Sequence, residues 1–98
     1  MKRSGPAVFE VRLRSKRVQR ELDSLQRIDH ERVLNKMNAL ADAPTPQGCE
    51  KLRDSIYRIR VGDIRVIYLV DEDNKRIEVG AIRRRSKRTY RGIDELFR

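Results

Sequence analysis

The sequence predicts an α+β domain. Two helices pack on one face of a mainly antiparallel four-stranded sheet, in the order β-α-α-β-β-β, with a basic C-terminal tail. Three observations carry this. Tyr57–Tyr68 alternates in side-chain character on both sides of Gly62-Asp63, which is the pattern of a tight hairpin. Val18 to Ala41 carries apolar residues at helical spacing in two blocks. The 98 residues suffice for one domain, 1–98, with one thin two-layer core.

The elements follow in order. Residues 1–6 are expected to form a loose lead-in; the basic start carries no apolar signal segment. Ala7–Leu13 places Phe9, Val11 and Leu13 on one face and Glu10 and Arg12 on the other, a half-buried strand. Ser15 is placed to cap a first helix with Val18, Leu22, Leu25 and Ile28 on its apolar side. Asp29 is placed to cap a second, whose stripe is Val33, Leu34, Met37, Leu40 and Ala41. Ala43-Pro-Thr-Pro-Gln-Gly48 stops it.

A two-residue loop at Gly62-Asp63 pairs Val61 with Ile64, Arg60 with Arg65, Ile59 with Val66, Arg58 with Ile67 and Tyr57 with Tyr68. Tyr57, Ile59, Val61, Ile64, Val66 and Tyr68 then face the core. Arg58, Arg60 and Arg65 face the other way, with Ile67 and Leu69 beside them. Asp71–Asn74 turns the chain into a strand over Arg76–Ile82, with Ile77, Val79 and Ala81 on one side. Gly92–Phe97 forms a last helical turn with Ile93, Leu96 and Phe97 available to dock.

The charge is unevenly placed. Residues 83–91 hold six cations and no acid, while the remaining 18 cations face 15 acids. Of the net charge of +9, six therefore fall in residues 83–91 of the C-terminal segment 83–98, as expected for a nucleic acid or an acidic protein partner. Like charges directly opposite on a sheet are unfavourable by roughly 0.2–1 kcal/mol per pair. Arg58, Arg60 and Arg65, gathered on one face without an interleaved carboxylate, therefore point to an anion, best a phosphate.

Other chemistries find no residues. The single Cys49 excludes an internal disulfide, in keeping with a reducing cytoplasm, and its loop position makes it incidental. One Cys and the lone His30 make no metal site. No Ser-His-Asp set and no Gly-rich phosphate loop occurs, and no apolar run approaches the ~20 residues that span a membrane. Phosphodiester cleavage remains open to Arg, Lys and Tyr. Preorganised cations stabilise a dianionic phosphorane, and an RNA supplies its own 2′-OH as nucleophile. Tyr90, beyond the cation run, is free to stack on a base or take part in proton transfer; a solvated tail with an anchoring tyrosine accounts for it equally.

The strand–helix–helix opening, Lys51-Leu52, the hairpin Tyr57–Tyr68 and the last strand running into Arg83-Arg-Arg-Ser-Lys-Arg-Thr-Tyr90 together resemble the RelE/ParE superfamily of toxin–antitoxin toxins, over nearly the whole chain. The resemblance implies a RelE-like fold. In the favoured RelE branch, it implies a metal-independent mRNA endoribonuclease that works in the ribosomal A site by 2′-OH attack, without a cofactor. By motif position the working residues would be Arg58, Arg60, Arg65, Arg84 and Tyr90. Arg83 and Arg85 compete with Arg84 for its role on the scissile phosphate. Lys51, Arg83, Arg85, Lys87, Arg88 and Arg91 would bind RNA. Arg58 and Arg60 stand where such enzymes commonly carry Lys, which suits a phosphate clamp better than a general base. Implied partners are a cognate antitoxin, mRNA and the ribosome with its 16S rRNA, in the cytoplasm. The alternatives are a ParE-like inhibitor of DNA gyrase and a non-catalytic RNA- or ribosome-binding protein of the same fold.

Overall fold

The computed structural model describes residues 8–85 and 92–97. Its elements are β1 (Glu10–Leu13), α1 (Lys16–Asp23), α2 (Arg27–Ala39), β2 (Glu50–Arg53), β3 (Ile56–Val61), β4 (Ile64–Asp71), β5 (Arg76–Arg84) and α3 (Ile93–Leu96). The sheet has five strands in the order β1-β5-β4-β3-β2. β1 runs parallel to β5, and every other neighbouring pair is antiparallel. The expected four-stranded sheet is thus corrected to a mixed sheet of five. The added strand, β2, reads Glu-Lys-Leu-Arg. It has no apolar alternation of its own and forms only because β3 offers a partner, with Glu50 opposite Arg58 and Lys51 opposite Tyr57.

The hairpin has the register its sequence predicts, from Val61↔Ile64 to Tyr57↔Tyr68, and extends to Ile56↔Leu69. Gly62 takes φ +63° in the turn, a conformation that favours glycine. The rings of Tyr57 and Tyr68 stack at 5.9 Å. Tyr68 is fully buried, and its hydroxyl donates to the Pro44 carbonyl at 2.7 Å, tying the loop after α2 to the sheet. Burial first, then the neighbouring Cys49, pushes that hydroxyl's pKa well above the usual tyrosine value.

The main core lies between the two helices and the sheet. Val18 and Leu22 of α1 and Val33 and Met37 of α2 meet Ile59, Val61, Ile64, Val66, Tyr68, Val70, Ile77, Val79 and Ile82. Two helix details differ from expectation. α2 begins after Gln26, so Asp29 sits in its first turn instead of capping it; a carboxylate there still faces the positive end of the helix dipole. Ile28 is 69% exposed instead of joining the apolar side. Ser15 holds the N-cap position of α1 without a side-chain cap bond.

β5 contains a bulge. The register with β4 shifts between Ile67 and Tyr68, whose partners are Ala81 and Val79, so Gly80 is the extra residue. Ala81 therefore leaves the face of Ile77 and Val79, where strict alternation places it. It joins a second small cluster on the opposite face with Ile56, Ile67 and Leu96. Ile93 and Phe97 pack there too, so α3 covers part of the face that lies away from the helices. The other edge of β5 is closed by α1. Beyond the pairing of Leu13 with Val79, Arg17 Nη2 donates to the Gly80 carbonyl at 3.0 Å. Glu21 Oε1 accepts from the Ile82 N–H at 3.0 Å. These two side chains, joined to each other at 3.1 Å, satisfy ladder groups that β1 is too short to reach.

Candidate nucleic-acid interface

Directly opposed residues share a face, so the registers map the surface away from the helices. Arg60 of β3, Arg65 of β4 and Arg83 of β5 form one continuous cross-strand row. Opposed Cβ atoms lie about 4.5–5.5 Å apart, so the three arginine side chains leave the sheet side by side. Arg58 belongs to the next row, beside Ile67 and Ala81, and α3 packs on the apolar part of this face.

The arginines differ in what holds them. Arg65 is only 6% exposed, and its Nη1 donates to the carbonyls of Gly62 at 3.1 Å and Ile64 at 3.3 Å. These turn carbonyls offset part of the cost of burying the charge. Arg83 leans over the β5 edge, where its Nε meets Glu21 Oε2 at 3.1 Å. Arg58 is nearly buried and ion-paired with Glu50, its neighbour across β2. Glu50 is thus the carboxylate that the arginine face of the hairpin itself lacks. Sequence reasoning missed it because β2 had not been recognised as a strand. Arg60 is exposed and has no side-chain hydrogen bond or ion pair among the described residues.

Arg84 points elsewhere. Its Cα stands opposite Ile64, on the helix-facing side. Its guanidinium bonds Asp63 at 2.8 and 3.0 Å and Asp29 at 3.2 Å. Hydrogen bonds to Asp29, then to Asp63, raise its pKa above the usual arginine value and keep it charged. The N–H of Arg85 donates to the Asp63 carbonyl at 2.8 Å, so the hairpin turn also holds the end of β5. Lys51 lies opposite Tyr57 and so falls outside the row. Lys87, Arg88, Tyr90 and Arg91 lie outside the described residues. Among the described residues no three His, Cys, Asp or Glu side chains are grouped as metal ligands are, and no helix is long and apolar enough to cross a membrane.

A face with several clustered guanidinium groups can bind and stabilise negative charge at phosphorus. Comparison with known proteins agrees with a shared architecture. Residues 13–89 match the model of the ParE toxin of the type II toxin–antitoxin system parDE. A RelE–RelB complex from the archaeon Pyrococcus horikoshii contains a chain 30% identical, with TM-score 0.75, over 82% of this chain and 98% of that one. The isolated Escherichia coli RelE toxin superposes with TM-score 0.70 at 15% identity, over 90% of this chain and 98% of that one. The toxin–antitoxin complex RelBE2 from Mycobacterium tuberculosis gives TM-score 0.69 at 19% identity, over 81% and 93%. No curated protein matches the chain. On the family match and the archaeal relative, the chain belongs to the RelE/ParE superfamily of toxins of type II toxin–antitoxin systems.

Proposed function

We propose that this toxin is a metal-independent endoribonuclease that cleaves mRNA on the ribosome. The observation that carries this reading is the row Arg60–Arg65–Arg83, with Arg58 one row away, on a face that among the described residues has cations but no side-chain nucleophile paired with a base. In the reaction the substrate 2′-oxygen bonds to phosphorus and the bond to the 5′-oxygen breaks. A 2′,3′-cyclic phosphate and a 5′-hydroxyl result; the proton of the 2′-OH leaves to a base and the 5′-oxygen gains one. Arg58, Arg60 and Arg65 bind the phosphate and its developing charge. The register supports Arg83, near the end of the last strand, as the arginine beside them, with Arg84 held by Asp29 and Asp63. Tyr90 stacks on a base or moves a proton. The partners are an antitoxin, as RelB is for the relatives, together with mRNA and the ribosome in the cytoplasm.

The ParE description of the family match favours a second reading, in which the chain poisons DNA gyrase by binding. Tightly controlled expression, with mRNA 5′ ends mapped on ribosomes, separates the two. The nuclease reading expects new 5′ ends within translated codons. It also expects cleavage to survive EDTA and to stop when the 2′-OH before the cut is replaced by hydrogen. Arg60→Ala and Tyr90→Phe should relieve growth arrest. Cleavage of the deoxy substrate would falsify the mechanism, and DNA breaks with intact mRNA would carry the gyrase reading instead.

A further inference from the structure

A second cationic feature adjoins the arginine row. β2 pairs with β3 no further than Glu50↔Arg58, so on its side away from β4 the end of β3 carrying Arg60 and Val61 has no strand beside it among the described residues. α2 overlooks that open edge across a groove of about 370 Å³. Arg32, Asn35 and Lys36 line it from the helix, and Arg60 and Gly62 from the hairpin. No carboxylate lines the groove. Arg32, Lys36 and Arg60 are exposed and carry no ion pair or side-chain hydrogen bond among the described residues. Arg32 and Lys36 stand at i and i+4, where like charges destabilise a helix, and elsewhere on α2 the same spacing joins Arg27 to Glu31. Uncompensated cations facing one cavity fit an anion.

We propose that this groove is a second phosphate subsite, which takes the backbone of the single-stranded RNA whose scissile phosphate lies on the Arg60–Arg65–Arg83 row. The proposal rests on the nuclease reading. Arg60 lines the groove and belongs to the row, so a strand passing around the β3 edge stays on cations throughout. Asn35 adds an amide donor between Arg32 and Lys36. An amphipathic peptide would need apolar anchor pockets, and the groove offers only Ala39 and Val61.

The test measures binding of the purified full chain to fluorescent 2′-O-methyl oligouridylates of 4 and 12 nucleotides, which 2′-OH attack cannot cleave, over a range of KCl. Each phosphate contact on a single strand contributes about −0.7 to the slope of log K against log salt, or about fivefold in affinity at 0.1 M. For the 12-mer, Arg32→Ala/Lys36→Ala should flatten the slope by about 0.7–1.4 and weaken binding about 5- to 25-fold. The circular dichroism spectrum should not change. The 4-mer, too short to span both sites, should lose less. Equal slopes and affinities in the two proteins for the 12-mer overturn the groove alone. A 12-mer that neither protein binds in a salt-dependent way overturns the RNA reading with it. Weakened binding of poly-glutamate with RNA binding intact overturns the proposal in favour of an acidic protein partner.

Discussion

Replacing Gly80 with alanine should uncouple Phe97 from the sheet and leave the main core intact. A Cβ built at Gly80 would lie 2.5 Å from Phe97 Cζ and 2.8 Å from Cε1, closer than carbon atoms approach. The backbone itself does not object, because Gly80 is not among the residues with positive φ. Full burial of a phenylalanine stabilises by about 1.5–3 kcal/mol; Phe97 is half-buried, so displacing its ring should cost about 1–2 kcal/mol. Against this, Gly→Ala at a compatible site stabilises by about 0.4–1 kcal/mol through the unfolded chain. Gly80→Ala alone should therefore be mildly destabilising. In a Phe97→Ala background it should be neutral or stabilising. Urea unfolding of the four proteins in this double-mutant cycle reads the coupling directly, expected at about 1–2 kcal/mol. An equal cost of Gly80→Ala with and without Phe97 would refute the packing argument.

Three further outcomes follow from the same geometry. Tyr68→Phe strands the Pro44 carbonyl and should cost about 1–3 kcal/mol at neutral pH. Because Tyr68's pKa is raised in the fold above its ordinary 10.0, its contribution is complete below pH 10 and falls as the pH rises, by up to about 1.4 kcal/mol per unit. The wild type should thus lose stability faster than Tyr68→Phe between pH 9 and 11, and parallel pH profiles would contradict this. Glu21→Ala removes the acceptor for the Ile82 N–H and should cost about 1–3 kcal/mol in urea unfolding. Glu21→Gln keeps an acceptor and should cost less; equal losses would rule out the strand-capping role. Glu50→Gln releases Arg58 and should steepen the salt dependence of single-stranded RNA binding by about 0.7, whereas an unchanged slope would mean that the ion pair does not withhold Arg58.

Much of the architecture was legible in the chain because it is locally encoded. The hairpin register follows from Gly62-Asp63 and the alternation on either side, and a slip of one residue would expose the whole core face. The helical blocks follow from apolar spacing, and the docking of Ile93, Leu96 and Phe97 from their exposure otherwise. β2 was not legible, since a short charged edge strand owes its existence to its neighbour. With it went Glu50, the partner of Arg58. The meeting of Arg32 and Lys36 with Arg60 was equally hidden, because it depends on how α2 crosses the open edge of β3.

The sequence by itself determined that arginines crowd the hairpin face and that a cation run follows the last strand. The tertiary structure decided which of them share a face. In an unbroken β5, Ile77, Val79, Ala81 and Arg83 would share the core side and Arg84 would point outward. The bulge at Gly80 reverses that parity, setting Ala81 and Arg83 on the outer face and turning Arg84 toward Asp29 and Asp63. A period of two carries no record of one extra residue, and that residue becomes visible only once β4 supplies the register.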